Sequence, residues 1–397
     1  MPSRYFSFST LLLFSFLGPL SACVPKSPAS SNAVASKSGH DLQIQMVENH
    51  AQGVYQAWKS THEHAKALED AVNAFLATPT PESLSTARQA WIDARMVYSP
   101  TEAFRFQGGP IDGENGPEGL INGWPLDEAY VDYVVDSPGA GIINDTDQFS
   151  ELTAELLVGL NEKGGEENIA TGWHAIEFLL WGQDSDPVGP GARSPEDYIA
   201  VKNPGATRRA LYLRLTTTLL VRHLEGLVTA WEPEKSDNYR SAFVSNPASA
   251  TKLMLTGMGM LAGDELAGER MAVAWETRDQ EDEQSCFSDT THLDIKGNLA
   301  GVVRTYTGRH GGVDGVSMKD WMTGVDPVAA QAIDAAISKA EQSVSAMQGP
   351  FDAAIQAPDD DPRRIAVGEA ISAIEHLAET IAKSAARIGI QINLEGG

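Results

Sequence analysis

The stretch Thr171-Gly-Trp-His-Ala-Ile-Glu-Phe-Leu-Leu-Trp-Gly-Gln183 constrains the fold more than any other part of the chain. It has no internal proline and a glycine near each end, so it reads as one short helix. Trp173, Ile176 and Leu180 share one face, His174, Phe178 and Trp181 another, and Leu179 fills the gap. A helix that is apolar all round has to be enclosed by other elements. Its two polar side chains, His174 and Glu177, are three residues apart and project from the same face. A carboxylate in an apolar core needs a partner or it loses its charge. That partner is the imidazole, an arginine from elsewhere, or a metal ion; these residues alone leave the three open. Gly172 lets another backbone or a ligand approach, and Gly172 and Trp181 are expected to support the site.

The remainder predicts an all-α protein. Asp41–Leu76 is a long amphipathic pattern, and Pro81 opens a helix running to about Tyr98. Ser99–Pro125 and Asp184–Pro204 are Gly/Pro-rich loops, and loops of that length are often functional. Arg208–Trp231 is helical, and the polar run from Glu232 marks a boundary at 233–246. The chain thus divides into an N-terminal bundle, 41–233, and a C-terminal bundle, 247–397, two halves whose similar size suggests an ancient duplication. The second half opens with a helix from Pro247 to about Asp279 carrying Gly257, Gly259, Gly263 and Gly268, a sign of close helix contact. Two further helices cover about Pro327–Met347 and Pro362–Ile388.

Residues 1–22 have a signal-peptide layout, and Leu20-Ser-Ala-Cys23 resembles a lipobox, which would place a lipid on Cys23. Residues 23–40 are rich in Ser, Ala and Pro and suit a flexible tether. The expected location is the cell envelope, at the outer membrane and facing the periplasm. The net charge of −25 disfavours nucleic acid as a partner. With Cys23 lipidated, Cys286 has no partner for an intrachain disulfide.

A family resemblance enters at the central helix. Gly172-Trp-His174-Ala-Ile-Glu177 matches the Gly-x-His-x-x-Glu signature of imelysin-like proteins, and Phe178–Gly182 is similar to that family too. Tyr98-Ser-Pro-Thr-Glu-Ala-Phe-Arg105 resembles its upstream segment. Ser285-Cys-Phe-Ser-Asp-Thr-Thr-His292, with Asp294 and Asn298, resembles the branch called iron-regulated protein A. The resemblance implies a periplasm-facing helical protein linked to bacterial iron uptake, in a family first described as a metallopeptidase.

Imidazole with carboxylate suits iron, zinc or manganese better than calcium. Iron is the first expectation and zinc the second. Since His174 and Glu177 supply too few donors, Glu102 is the first further ligand expected, His292 the next and Asp289 behind it, with Glu276 and Asp279 as supporting acids. A second His-x-x-Glu, His376 and Glu379, lies off its helix's apolar stripe and reads as solvated surface. There is no His-Glu-x-x-His, no paired Glu-x-x-His, no Gly-x-Ser-x-Gly and no Walker-type loop. The functional expectation is therefore an envelope protein that binds a metal ion or a small iron-bearing ligand, with an iron-transport component as a further partner. A metal-dependent peptidase and a metal-free interaction module are the alternatives.

Overall fold

The computed structural model describes residues 39–186 and 189–394. The signal segment, Cys23 and most of the tether lie outside the described residues. Helix α1 (Gly39–Ala77) buries Val47, Val54, Trp58, Leu68, Val72 and Phe75, which recur at helical spacing along one face. Three residues join it to α2 (Pro81–Tyr98), so the two lie side by side as antiparallel neighbours. Thr80 and Ser83 cap α2 reciprocally, and Pro81 stands where its missing N–H costs nothing. The chain then tightens into the buried 3₁₀ turn Ser99–Phe104. Three short helices follow: α3 (Glu118–Asn122), α4 (Glu128–Val131) and α5 (Ala154–Leu160). They lead to α6 (Gly172–Trp181) and α7 (Ala206–Ala230).

The second half begins with α8 (Tyr239–Ser245) and α9 (Pro247–Met260). The rod continues through wide π-helical turns at Leu261–Ala272 into α10 (Val273–Thr277). Then come α11 (Thr291–Thr307), α12 (Met318–Val325), α13 (Pro327–Ala346), α14 (Phe351–Ile355) and α15 (Pro362–Arg387). Among the described residues there is no strand, only an isolated bridge between Val134 and Ser137, so the protein is all-α. Helix α1 packs against α2 and α7 and also against α9 and α12, while α13 and α15 pack on each other. No described helix is long and apolar enough to cross a membrane.

All ten residues of α6 are buried, so the helix cannot leave its terminal carbonyls to water. The protein answers each of them. Tyr198 hydroxyl donates to the Leu179 carbonyl, Arg88 donates twice to Leu180, and the Arg193 backbone N–H donates to Trp181. At the other end Gly172 has φ +86°, and a Cβ there would stand 2.5 Å from the Ile121 carbonyl oxygen. The glycine thus permits α3 and α6 to meet. The glycines of the second half serve the same end: a Cβ at Gly257 would meet the Ala103 carbonyl at 2.8 Å, and one at Gly259 the Leu394 side chain at 2.5 Å.

Candidate functional site

His174 and Glu177 meet each other on α6: His174 Nδ1 lies 2.9 Å from Glu177 Oε2. The second carboxylate oxygen, Oε1, accepts from the Ser288 backbone N–H at 3.0 Å and from the Ser288 hydroxyl at 2.6 Å. Ser288 in turn shares a 2.8 Å hydrogen bond with Thr290. Trp124 packs on the His174 ring with centroids 5.0 Å apart, and Phe287 backs both Trp124 and Phe178. Burial pushes the Glu177 carboxyl up to about 8, against the pull of Ser288 and Arg95. Burial also holds His174 well below the ordinary imidazole range, with Arg95 and Arg270 adding to the effect. The imidazole is therefore neutral. Its Nε2 is fully buried and has no hydrogen-bond partner among the described residues. With Glu177 protonated, its Oε2 hydroxyl donates to Nδ1 and the imidazole proton sits on Nε2; a metal at Nε2 would displace one proton and leave Nδ1–H donating to a Glu177 carboxylate. A carboxylate behind a histidine, fixing its tautomer and ring, is the usual second layer of a metal-bound histidine.

Beside this pair runs a buried arginine–acid network. Glu102 binds Arg270 at 2.5 Å, and its carboxylate also accepts from Asn122 and Asn298 at 3.2 and 3.0 Å. Arg270 also reaches Glu265 and Asn298, and Arg105 reaches Glu265 at 2.7 Å and Glu118 at 3.3 Å. Arg95 holds Asn122 and, at 2.9 Å, Asp294, which also accepts from Ser99 and Ser285. Burial would raise the Glu102 carboxyl, but Arg270, Arg95 and Arg105 outweigh it and hold it below its usual range. A cleft of about 620 Å³ opens here, lined by Arg105, Asn122, Trp124, Glu265, Arg270 and Gln284 among others. That volume suits a small ligand. Trp124 belongs both to the cleft wall and to the packing around His174.

The structure distributes the sequence-derived residues as follows. His174 and Glu177 are together, with Gly172 and Trp181 at the two ends of their helix. Glu102 lies in the arginine network. Asp289 sits in a buried cluster with Glu283 and Asp352. His292 is half-buried beside the Asp289 backbone, with Gly349 against its ring. Glu276 and Asp279 are exposed near the end of α10, where Asp279 caps the next turn. His376 and Glu379 are exposed, as the stripe of α15 predicts, and Glu379 pairs with Lys383. Ser288, Arg270, Glu283 and Asp352 were not marked by sequence reasoning. Arg270 carried no distinguishing signal, since Asp264, Glu265 and Glu269 stand close to it in the same glycine-rich helix.

An enclosed helix presenting a buried histidine–carboxylate pair beside an arginine-lined cleft defines a helical protein with an internal polar site. The chain belongs to the imelysin family, whose model, described as Imelysin, matches residues 51–381. It is 27% identical over 341 residues to Iron-regulated protein A of Synechococcus elongatus, a match covering 83% of this chain and 82% of that protein. Two crystal structures share the fold. One, of an iron-regulated protein A precursor from Parabacteroides distasonis, has a TM-score of 0.68 at 18% identity and covers 90% of this chain and 97% of the other. The second, an imelysin-like protein from Psychrobacter arcticus, has a TM-score of 0.62 at 12% identity and covers 88% and 98%.

Proposed function

We propose that this protein captures iron at the cell envelope, as an ion or within a small iron-bearing ligand, with His174 Nε2 as its protein-borne donor. The observation that carries the reading is the state of that imidazole: neutral, buried, held at Nδ1 by Glu177, and without a partner at Nε2. Glu177 then orients the histidine and does not bind metal itself, since both its oxygens are engaged. Glu102 is likewise committed to Arg270. One imidazole is a small share of an iron coordination shell, which favours iron that arrives with donors of its own. The neighbouring cleft, with Arg105 and Arg270 in its wall, has room for such a ligand and cations to meet its acidic groups. The iron-regulated name of the relatives supports iron over zinc. The lipobox-like Cys23 supports envelope anchoring, from which the iron would pass to a transport component. A peptidase reading has less support, because neither Glu177 nor Glu102 has an oxygen free to activate water.

Tryptophan fluorescence tests the proposal, because Trp124 lies against His174. Titration of the wild-type chain with ferric citrate and with iron(II) is expected to give saturable quenching. His174→Ala should lose it, and Glu177→Gln should weaken affinity roughly tenfold to a hundredfold. Trp124→Phe should bind with a smaller signal. Equal affinity in wild type and His174→Ala would overturn the assignment.

A further inference from the structure

Glu283, Asp289 and Asp352 form a second polar centre, on a different set of atoms from the His174 pair. Each offers a carboxylate oxygen such that the three atoms lie within 4.8 Å of one another. Glu283 and Asp352 are fully enclosed at 0% exposure, and Asp289 is 7% exposed. Among the described residues, neither oxygen of Glu283, neither oxygen of Asp352, nor Oδ1 of Asp289 has a hydrogen-bond partner. The Thr291 hydroxyl near Glu283 and the backbone N–H groups of Asp352 and Ala353 near Asp352 lie outside hydrogen-bonding geometry.

The contrast with the protein's other buried acids is direct. Asp132 is held by Arg193 at 2.7 Å and Arg209 at 2.6 Å, Glu102 by Arg270, and Asp294 by Arg95. Around the trio, the charges that act most strongly are other carboxylates. Asp352 and Asp289 act on Glu283, Asp352 with Asp184 and Asp186 on Asp289, and Asp186 on Asp352. Burying several carboxylates together without a counter-charge costs heavily. An all-carboxylate set suits a hard cation. Oxygens that share one such ion, bonded at about 2.0–2.6 Å, stand no more than about 4–5 Å apart, and the three carboxylate oxygens lie within that reach of one another. Three enclosed carboxylates suit calcium, which takes most of its ligands from the protein, better than magnesium, which keeps several of its waters.

We propose that Glu283, Asp289 and Asp352 bind one hard divalent cation, calcium in preference to magnesium, separately from the iron site at His174. The ion would tie the segment after α10 to α14. That segment carries Ser288, the residue that holds Glu177, so the cation would brace the histidine pair from behind. The cation assignment does not depend on iron binding.

The full chain, stripped with chelator at pH 7.5, is to be melted with calcium, manganese or magnesium. A millimolar excess of calcium should raise the melting temperature by roughly 5 °C or more, with a smaller rise for magnesium. Glu283→Gln and Asp352→Asn should each abolish the rise, while His174→Ala keeps it. Because each variant replaces a buried acid that lacks a partner by its neutral isostere, both should melt no lower than stripped wild type, which separates loss of the site from loss of the fold. Equilibrium dialysis of wild type against radioactive calcium should find one ion per chain. No bound calcium in dialysis, or a calcium rise that both variants retain, would overturn the proposal and leave the trio as protonated acids.

Discussion

Glu102 and Glu177 are both carboxyls at 0% exposure, yet their surroundings drive them in opposite directions. Arg270, Arg95 and Arg105 keep Glu102 ionised, whereas Glu177 has only Ser288 and a neutral imidazole at its oxygens and rises to about 8. Removing the charge from Glu102 should therefore be expensive. Glu102→Gln leaves Arg270 short of a buried counter-charge and should cost about 3–5 kcal/mol, measured as a shift of the denaturant midpoint. Glu177→Gln should cost far less stability while weakening iron. Equal stability losses would contradict this division of roles. His174 and Glu177 were legible because polarity inside an apolar helix stands out in a single chain. Glu283 and Asp352 were not. They lie 69 positions apart in segments of ordinary polar composition, and only the fold removes them from water.

At the scale of elements, amphipathic periodicity located α1, α2, α7, α13 and α15 to within a few residues, because each buries one stripe and exposes the other. Helix α11 escaped notice because it buries Asp294 and Asn298 against the arginine network, which breaks the apolar stripe. The π-helical turns at Leu261–Ala272 were equally invisible: the pattern predicts a continuous helix, and the wider turns carry Glu265 and Arg270 of the network. Two glycines give a paired test of what elements need. Gly172→Ala combines a positive φ with a clash at the Ile121 carbonyl and should destabilise by about 2 kcal/mol or more. Gly226→Ala, at an exposed position on α7 with nothing within 4 Å of the new Cβ, should stabilise by about 0.5–1 kcal/mol. Opposite signs in thermal melts are expected; a tolerated Gly172→Ala would contradict the close approach of α3 and α6.

For the whole molecule, the raised carboxyls set the pH dependence. Glu177 titrates at about 8, and Glu128 and Asp289 at about 7, whereas the unfolded chain ionises them near 4–4.5. The folded state therefore holds protons that the unfolded state has lost, and the stability they contribute disappears as pH rises through about 8. His50, held to about 3 by burial, acts the other way below its unfolded value of about 6.5, as do His174 and His310. Above 6.5 the histidines are neutral in both states and only the carboxyls matter. The metal-free protein should thus melt several degrees lower at pH 8.5 than at pH 6.5, and added calcium should narrow the gap. A metal-free melting temperature that rises over that interval would contradict the assignment.

The most direct test of the central claim is an anomalous-scattering map at the iron edge, from crystals of the full chain grown with ferric citrate. The strongest peak is expected about 2.1 Å from His174 Nε2, the usual metal–imidazole distance, with Glu177 still bonded to Nδ1. Iron bound elsewhere, with no density at Nε2, would contradict it.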